Sequence, residues 1–113
     1  MDIADYATLF KALSEPVRLR VLHLLLDKGE LCVCDIVDTL GLSQSVVSRH
    51  LAYLRNAGLL STRREGVWIY YQVTPVTSFA DRLLALFHKD GSNSAMIKND
   101  TDNFQGIAHR SCS

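Results

Sequence analysis

The stretch from Val33 to Leu54 constrains the fold most. Val33, Ile36, Val37 and Leu40 recur at i, i+3, i+4 and i+7, the apolar stripe of a short helix. Gly41 stops that helix, and Ser43 is a good N-cap for the next. Val47, Leu51 and Leu54 form the second buried stripe, closed by Gly58. Two helices joined by a short glycine-containing turn predict a helix-turn-helix. Residues 59–64 and 67–73 then read as two short strands around Glu65-Gly66, the second rich in β-branched and aromatic residues. A hairpin directly after a helix-turn-helix is a wing. The expected fold class is therefore mainly α with a small β-hairpin, a winged helix-turn-helix.

Upstream, Ile3, Ala7, Phe10 and Leu13 predict an amphipathic helix over 3–13. Ser14 is the expected N-cap of a second helix, with Pro16 in its first turn and Val17, Val21, Leu24 and Leu25 on one face to about Asp27. Thr74-Pro75 is expected to open a last helix whose wide apolar face carries Val76, Phe79, Ala80, Leu83, Leu84 and Phe87. One small domain can hardly cover that face together with the first helix, so the surplus reads as a dimer interface. From Asp90 the composition turns polar, which predicts a folded domain over 1–89 and a flexible tail over 90–113.

At 113 residues the chain is long enough for one modest core. No apolar run approaches the roughly 18 residues of a membrane span, and the N-terminus lacks the basic and apolar regions of a secretory signal, so no membrane partner and a cytoplasmic location are expected. Net charge is zero, but its distribution is uneven. Residues 43–66 hold Arg49, Arg55, Arg63 and Arg64 against Glu65 alone. Local basic density of this kind meets phosphate. In a helix-turn-helix the first residues of the second helix enter the major groove; here those are Gln44, Ser45, Ser48 and Arg49, all able to hydrogen-bond to base edges. Arg63 and Arg64 lie near the wing tip, and Arg55 and His50 are candidates for the DNA backbone. No Ser/His/Asp set, phosphate loop or carboxylate pair stands out, so the chain reads as a non-enzyme that binds double-stranded DNA.

Three cysteines, Cys32, Cys34 and Cys112, give no disulfide framework. Cys32 precedes the helical stripe and Asp35 follows three later, as in a capping box with Cys in the Ser/Thr place. Inside a regular helix, side chains two apart point about 200° apart. At a helix start the backbone is not yet helical, and two sulfurs can converge. Unpaired N–H groups there are expected to lower a thiol pKa. Neither cysteine falls on the buried stripe. Ligands for a soft metalloid or cation, redox thiols and structural thiols all remain open on spacing alone. Cys112 is either a third sulfur reached through the tail or an idle thiol.

The chain resembles the ArsR/SmtB family of winged-helix repressors. The resemblance is carried by Leu13-Ser14-Glu15-Pro16-Val17-Arg18-Leu19, by Glu30-Leu31-Cys32-Val33-Cys34-Asp35, by the run from Leu42 to Leu51, by Leu54-Arg55-Asn56-Ala57-Gly58-Leu59-Leu60, and by the hairpin from Arg64 to Tyr71. It covers about residues 3–88. It implies a homodimer, joined through its first and last helices, that represses a resistance operon at its operator and lets go when an inducer binds. The Cys32/Cys34 run is similar to the arsenic-responsive branch, which implies arsenite or antimonite held by those thiolates. The short N-terminus without cysteine speaks against the cadmium and lead branch, and Asp81 and His88 lack the paired spacing of the zinc branch. Val37 stands where many arsenic repressors have a third cysteine. Either Cys112 supplies that sulfur or two thiolates suffice, as for a monomethylated trivalent arsenical or arsenite carrying a non-protein ligand. The alternative keeps the DNA-binding fold and makes Cys32 and Cys34 a cadmium/lead sensor or a thiol redox switch.

Overall fold

A computed structural model describes residues 1–105. Its element order is α1 (Ile3–Ala12), α2 (Pro16–Lys28), β1 (Leu31–Cys32), α3 (Val33–Leu40), α4 (Gln44–Asn56), β2 (Leu60–Glu65), β3 (Trp68–Val73), α5 (Ser78–Gly91) and α6 (Ala95–Asn103). The core is the predicted stripes brought together. Val21, Leu22 and Leu24 of α2, Ile36 of α3, and Val47, Leu51 and Leu54 of α4 are all fully buried, with Leu59 and Leu84 closing the ends. α3 packs on α4 across Ile36, Leu40, Val47 and Leu51, which fixes the helix-turn-helix. Gly41 ends α3 at φ 68°, and Ser43 caps α4 by accepting from the Val46 N–H at 3.3 Å.

Two caps differ from expectation. Ser14 turns back to donate to the Lys11 carbonyl at 2.7 Å, so Glu15 caps α2 through the Arg18 N–H. Pro16 then occupies the first helical position, where its missing N–H costs nothing. The last helix starts later than Thr74-Pro75: Thr77 is its cap, accepting from the Ala80 N–H at 3.1 Å. Val76, placed on the apolar face by the sequence, precedes the helix and is exposed.

Two elements were not expected. The hairpin is the larger part of a three-stranded sheet in the order β1-β3-β2. Leu31 pairs with Tyr71 and Cys32 with Tyr70, antiparallel. Residues 95–103, assigned to a flexible tail, instead form α6. Ser94 caps it, Ile97 is buried, and α6 lies against α2 and α3. Its anchor is Asp100, whose two oxygens accept from Arg20 Nε and Nη2 at 2.9 Å each. Arg20 Nη2 also donates to the Leu40 carbonyl at 3.1 Å, so this contact ties α6 to the end of α3.

α1 and α5 adjoin. Tyr6 and Phe10 meet Phe79 edge-on at centroid separations of 5.1 and 6.2 Å. Ile3, Phe10, Phe79 and Leu86 stay exposed there, an apolar surface of the kind expected for self-association.

Candidate nucleic-acid interface and thiol site

The polar face of α4 is presented as the stripe requires. Gln44, Ser45, Arg49 and Arg55 are exposed and Ser48 half-exposed, while Val47, Leu51 and Leu54 point inward. His50 does not join them. It is buried, with Nδ1 3.5 Å from Arg18 Nη1 and 3.7 Å from Glu15 Oε2. Arg18 is the centre of that cluster. Its Nε and Nη2 donate to the Ala12 and Lys11 carbonyls at the end of α1, and its guanidinium lies 4.0 Å over the Tyr53 ring. The reading helix is thus tied to α1 through Arg18, a contact sequence periodicity cannot reveal because the partners lie 32 residues apart.

On the wing, Arg63 and Arg64 are exposed. Arg63 is not an open cation. Nη2 donates to Glu30 Oε1 at 2.7 Å, Nε to the same carboxylate at 3.1 Å, and Nη1 to Glu65 at 2.6 Å. Its guanidinium also lies 4.6 Å from the Tyr70 centroid. The two carboxylates hold the guanidinium firmly charged, and Arg63 holds the Glu30 carboxyl below its ordinary value. The sequence marked Glu30 only as the head of the Glu30–Asp35 run and gave no sign of its contact with Arg63, 33 residues away.

Cys32 is the N-cap of α3 and Cys34 sits in its first turn, as the capping-box reading predicted. The Asp35 N–H reaches the Cys32 sulfur, and Asp35 Oδ2 accepts from the Cys32 N–H at 3.3 Å and from its S–H at 3.2 Å. For Cys32, the placement off the buried stripe and the expected lowering of the thiol pKa are corrected. Pairing with β3 buries Cys32 to 1% exposure, and that burial pushes its thiol above the ordinary cysteine value. The Asp35 and Cys34 backbone N–H groups pull the other way, while the Asp35 carboxylate adds to the rise. Cys34 is half-buried. Among the described residues no three His, Cys, Asp or Glu side chains gather around one point that could hold a metal ion. The pair therefore offers two sulfurs, and Cys112 lies outside the described residues. His88, weighed for zinc, instead pairs with Asp27 at 3.0 Å across α2 and α5.

A family profile described as "Bacterial regulatory protein, arsR family" matches residues 15–62. The arsenic resistance transcriptional regulator ArsR1 of Pseudomonas putida is 47% identical over 74% of this chain and 66% of its own length. The arsenical resistance operon repressor of Bacillus subtilis is 33% identical over 79% of this chain and 88% of its own. A Staphylococcus aureus protein named as a homolog of the cadmium resistance regulator CadC is 41% identical over 61% of this chain and 57% of its own. The chain thus spans just under two thirds of the length of ArsR1 and just under three fifths of that of the CadC homolog. Among solved structures, HlyU from Vibrio cholerae superposes with a TM-score of 0.69 at 37% identity, over 76% of this chain and 90% of that one. The antimony-specific transcriptional repressor AntR superposes at 0.65 and 30% identity, over 81% and 84%. The homodimeric winged helix-turn-helix domain of Mb0332 from Mycobacterium bovis superposes at 0.67 and 32% identity, over 80% and 81%.

Proposed function

This chain belongs to the ArsR family of bacterial regulatory proteins, and we propose that it represses transcription as a homodimer on operator DNA and is released by trivalent arsenic or antimony bound at Cys32 and Cys34. The observation that carries this reading is the place of the two thiols. They open α3, and α3 packs directly on α4, whose exposed face holds Gln44, Ser45, Ser48 and Arg49. The names of the arsenic relatives and of the antimony repressor AntR support the choice of inducer, and the homodimeric Mb0332 domain supports self-association, for which the exposed apolar surface of α1 and α5 is the face proposed here. Arg55 and Arg64 are the exposed cations assigned to phosphate.

The chemistry of the site favours a metalloid. Arsenous acid condenses with two thiols, As(OH)3 + 2 RSH giving (RS)2AsOH and two waters. Each thiol proton leaves on a departing hydroxyl, so a buried protonated Cys32 is no obstacle. A divalent cation must instead expel those protons. Cys112 is the candidate for the third sulfur that would displace the last hydroxyl. The cadmium reading is favoured by the CadC homolog at 41% identity, but only two cysteines lie together among the described residues. A peroxide switch fits less well, because oxidation follows thiolate character and exposure and Cys32 has neither.

The test is fluorescence anisotropy on a labelled fragment from upstream of the gene, titrated under reducing conditions with arsenite, methylarsenite, antimonite, cadmium and zinc. Release by the trivalent metalloids alone is expected. Release by cadmium alone moves the chain to the cadmium reading, and release only by peroxide, added in a parallel titration without reductant, moves it to the redox reading. In Cys112→Ser, weakened release by arsenite with intact release by methylarsenite would assign the third sulfur.

A further inference from the structure

Arg63 sits where a wing would meet phosphate, yet every nitrogen of its guanidinium donates to a carboxylate. Glu65 belongs to the same hairpin, but Glu30 does not. Glu30 stands just ahead of β1, two residues before Cys32. Cys32, Tyr70 and Arg63 are successive partners in one row across the sheet, and Glu30 closes that row by reaching over to Arg63. A carboxylate bound through both oxygens presents the forked acceptor geometry that a phosphate presents to arginine. Two carboxylates on one guanidinium also cancel the charge Arg63 would bring to the wing, leaving Arg64 as the neighbouring exposed cation.

We propose that Glu30 is an internal competitor of DNA phosphate for Arg63, so that the segment carrying Cys32 sets how much charge the wing offers to DNA. The inference rests on the DNA-binding reading above. Arg63 then contributes less than a full phosphate contact while Glu30 is ionised, and becomes one when Glu30 is neutral or displaced. Neutralising one more phosphate steepens the fall of log K with log salt by about 0.9.

The experiment measures operator binding by anisotropy between about 50 and 200 mM salt for the unmodified protein, Glu30→Gln, Arg63→Gln and the double variant. Glu30→Gln is expected to bind more tightly, with a slope steeper by about 0.9 per subunit. The gain is expected to vanish in the double variant, and Arg63→Gln alone should change the slope by far less than 0.9. An unchanged slope, weaker binding by Glu30→Gln, or a gain that survives in the double variant each overturns the proposal. The last result would mean that Glu30 merely repels DNA at a distance. The Arg63 Nε–H resonance, followed as DNA is added, should move further in Glu30→Gln than in the unmodified protein, and equal movement in the two also overturns it. Failure of the unmodified protein to bind any upstream fragment would instead overturn the DNA-binding reading itself.

Discussion

Replacing Cys32 separates its two roles, as cap and as ligand. Its sulfur accepts the Asp35 N–H and its S–H donates to Asp35 Oδ2, all at 1% exposure. Serine preserves both contacts and is the better N-cap, so Cys32→Ser should fold within about 1 kcal/mol of the parent. Alanine removes the cap, worth typically about 1 kcal/mol, and leaves a buried carboxylate short of a donor, worth about 1–3 kcal/mol more. Cys32→Ala is therefore expected to lose roughly 2–4 kcal/mol in total. At about 4–8 °C per kcal/mol for a domain near this size, the two variants should be clearly separated in a thermal melt followed by circular dichroism. Both lack the thiol, so both should lose release by arsenite. Against a parental coupling of about 1–3 kcal/mol, or roughly 5- to 150-fold in DNA affinity, the Cys32→Ser protein should bind DNA normally and shift less than about 2-fold on adding arsenite. A Ser variant as unstable as the Ala variant would refute the capping argument. A stable Ser variant still released by arsenite would refute the site.

Asp100→Asn leaves the partly buried Arg20 guanidinium without its counter-charge; a loss of about 2–3 kcal/mol is expected in urea unfolding, below the range for fully buried pairs because Arg20 keeps some solvent. Arg49→Ala should leave the melt unchanged and weaken operator binding by about 1–3 kcal/mol if it reads a base, which competition with mutated operators checks. His88 first, and then Lys28, hold the Asp27 carboxyl below its ordinary value, so the unfolded chain takes up that proton at higher pH than the folded one. The resulting stabilisation is present above the ordinary carboxylate pKa of about 3.9 and lost as pH falls through the lowered folded value. Asp27→Asn should thus lower the urea midpoint at pH 7 and converge on the parent in strong acid; curves that stay parallel to low pH would remove Asp27 from the account.

What the sequence disclosed follows from the range of each interaction. The α3 and α4 stripes, Gly41 and Ser43 are local signals, and all sit where periodicity and capping put them. β1 is only two residues long, too short for a period, and is defined by partners at Tyr70 and Tyr71 far along the chain. Missing it led to the expectation of acidic thiols off the buried stripe, since the same pairing that makes β1 buries Cys32. α6 was hidden for a related reason. Its composition is that of a loop, and Asp100 is an inward residue only because Arg20, 80 positions earlier, waits for it. His50 reads as a polar residue on a DNA-facing helix until Arg18 and Glu15 are folded against it. Local chemistry thus put Cys32 and Cys34 at the start of α3, while their electrostatic surroundings depended on contacts across the fold.

Those long-range contacts bear on how an inducer at Cys32 and Cys34 would reach the DNA surface. α3 is held differently at its two ends. At the C-terminus the Leu40 carbonyl accepts from Arg20, which Asp100 locks in place, and Gly41 closes the helix onto the Val37 carbonyl. At the N-terminus the Cys32–Asp35 cap and a two-residue strand do the holding, and the cap involves the very atoms a metalloid would take. Bonds to both sulfurs would remove the S–H that Asp35 accepts, so the N-terminal end is expected to yield while the turn at Gly41–Ser43 stays anchored. Motion would then enter the β1–β3 pairing and the Glu30–Arg63 contact at least as directly as it would enter α4. Hydrogen exchange on addition of arsenite should accordingly rise at Leu31, Cys32, Tyr70 and Tyr71 and stay unchanged through Leu40–Ser43. The reverse pattern would mean that the inducer works by tilting α3 as a rigid rod against the reading helix. Asp100→Asn supplies the cross-check: with the C-terminal anchor loosened, the exchange change should spread into the turn.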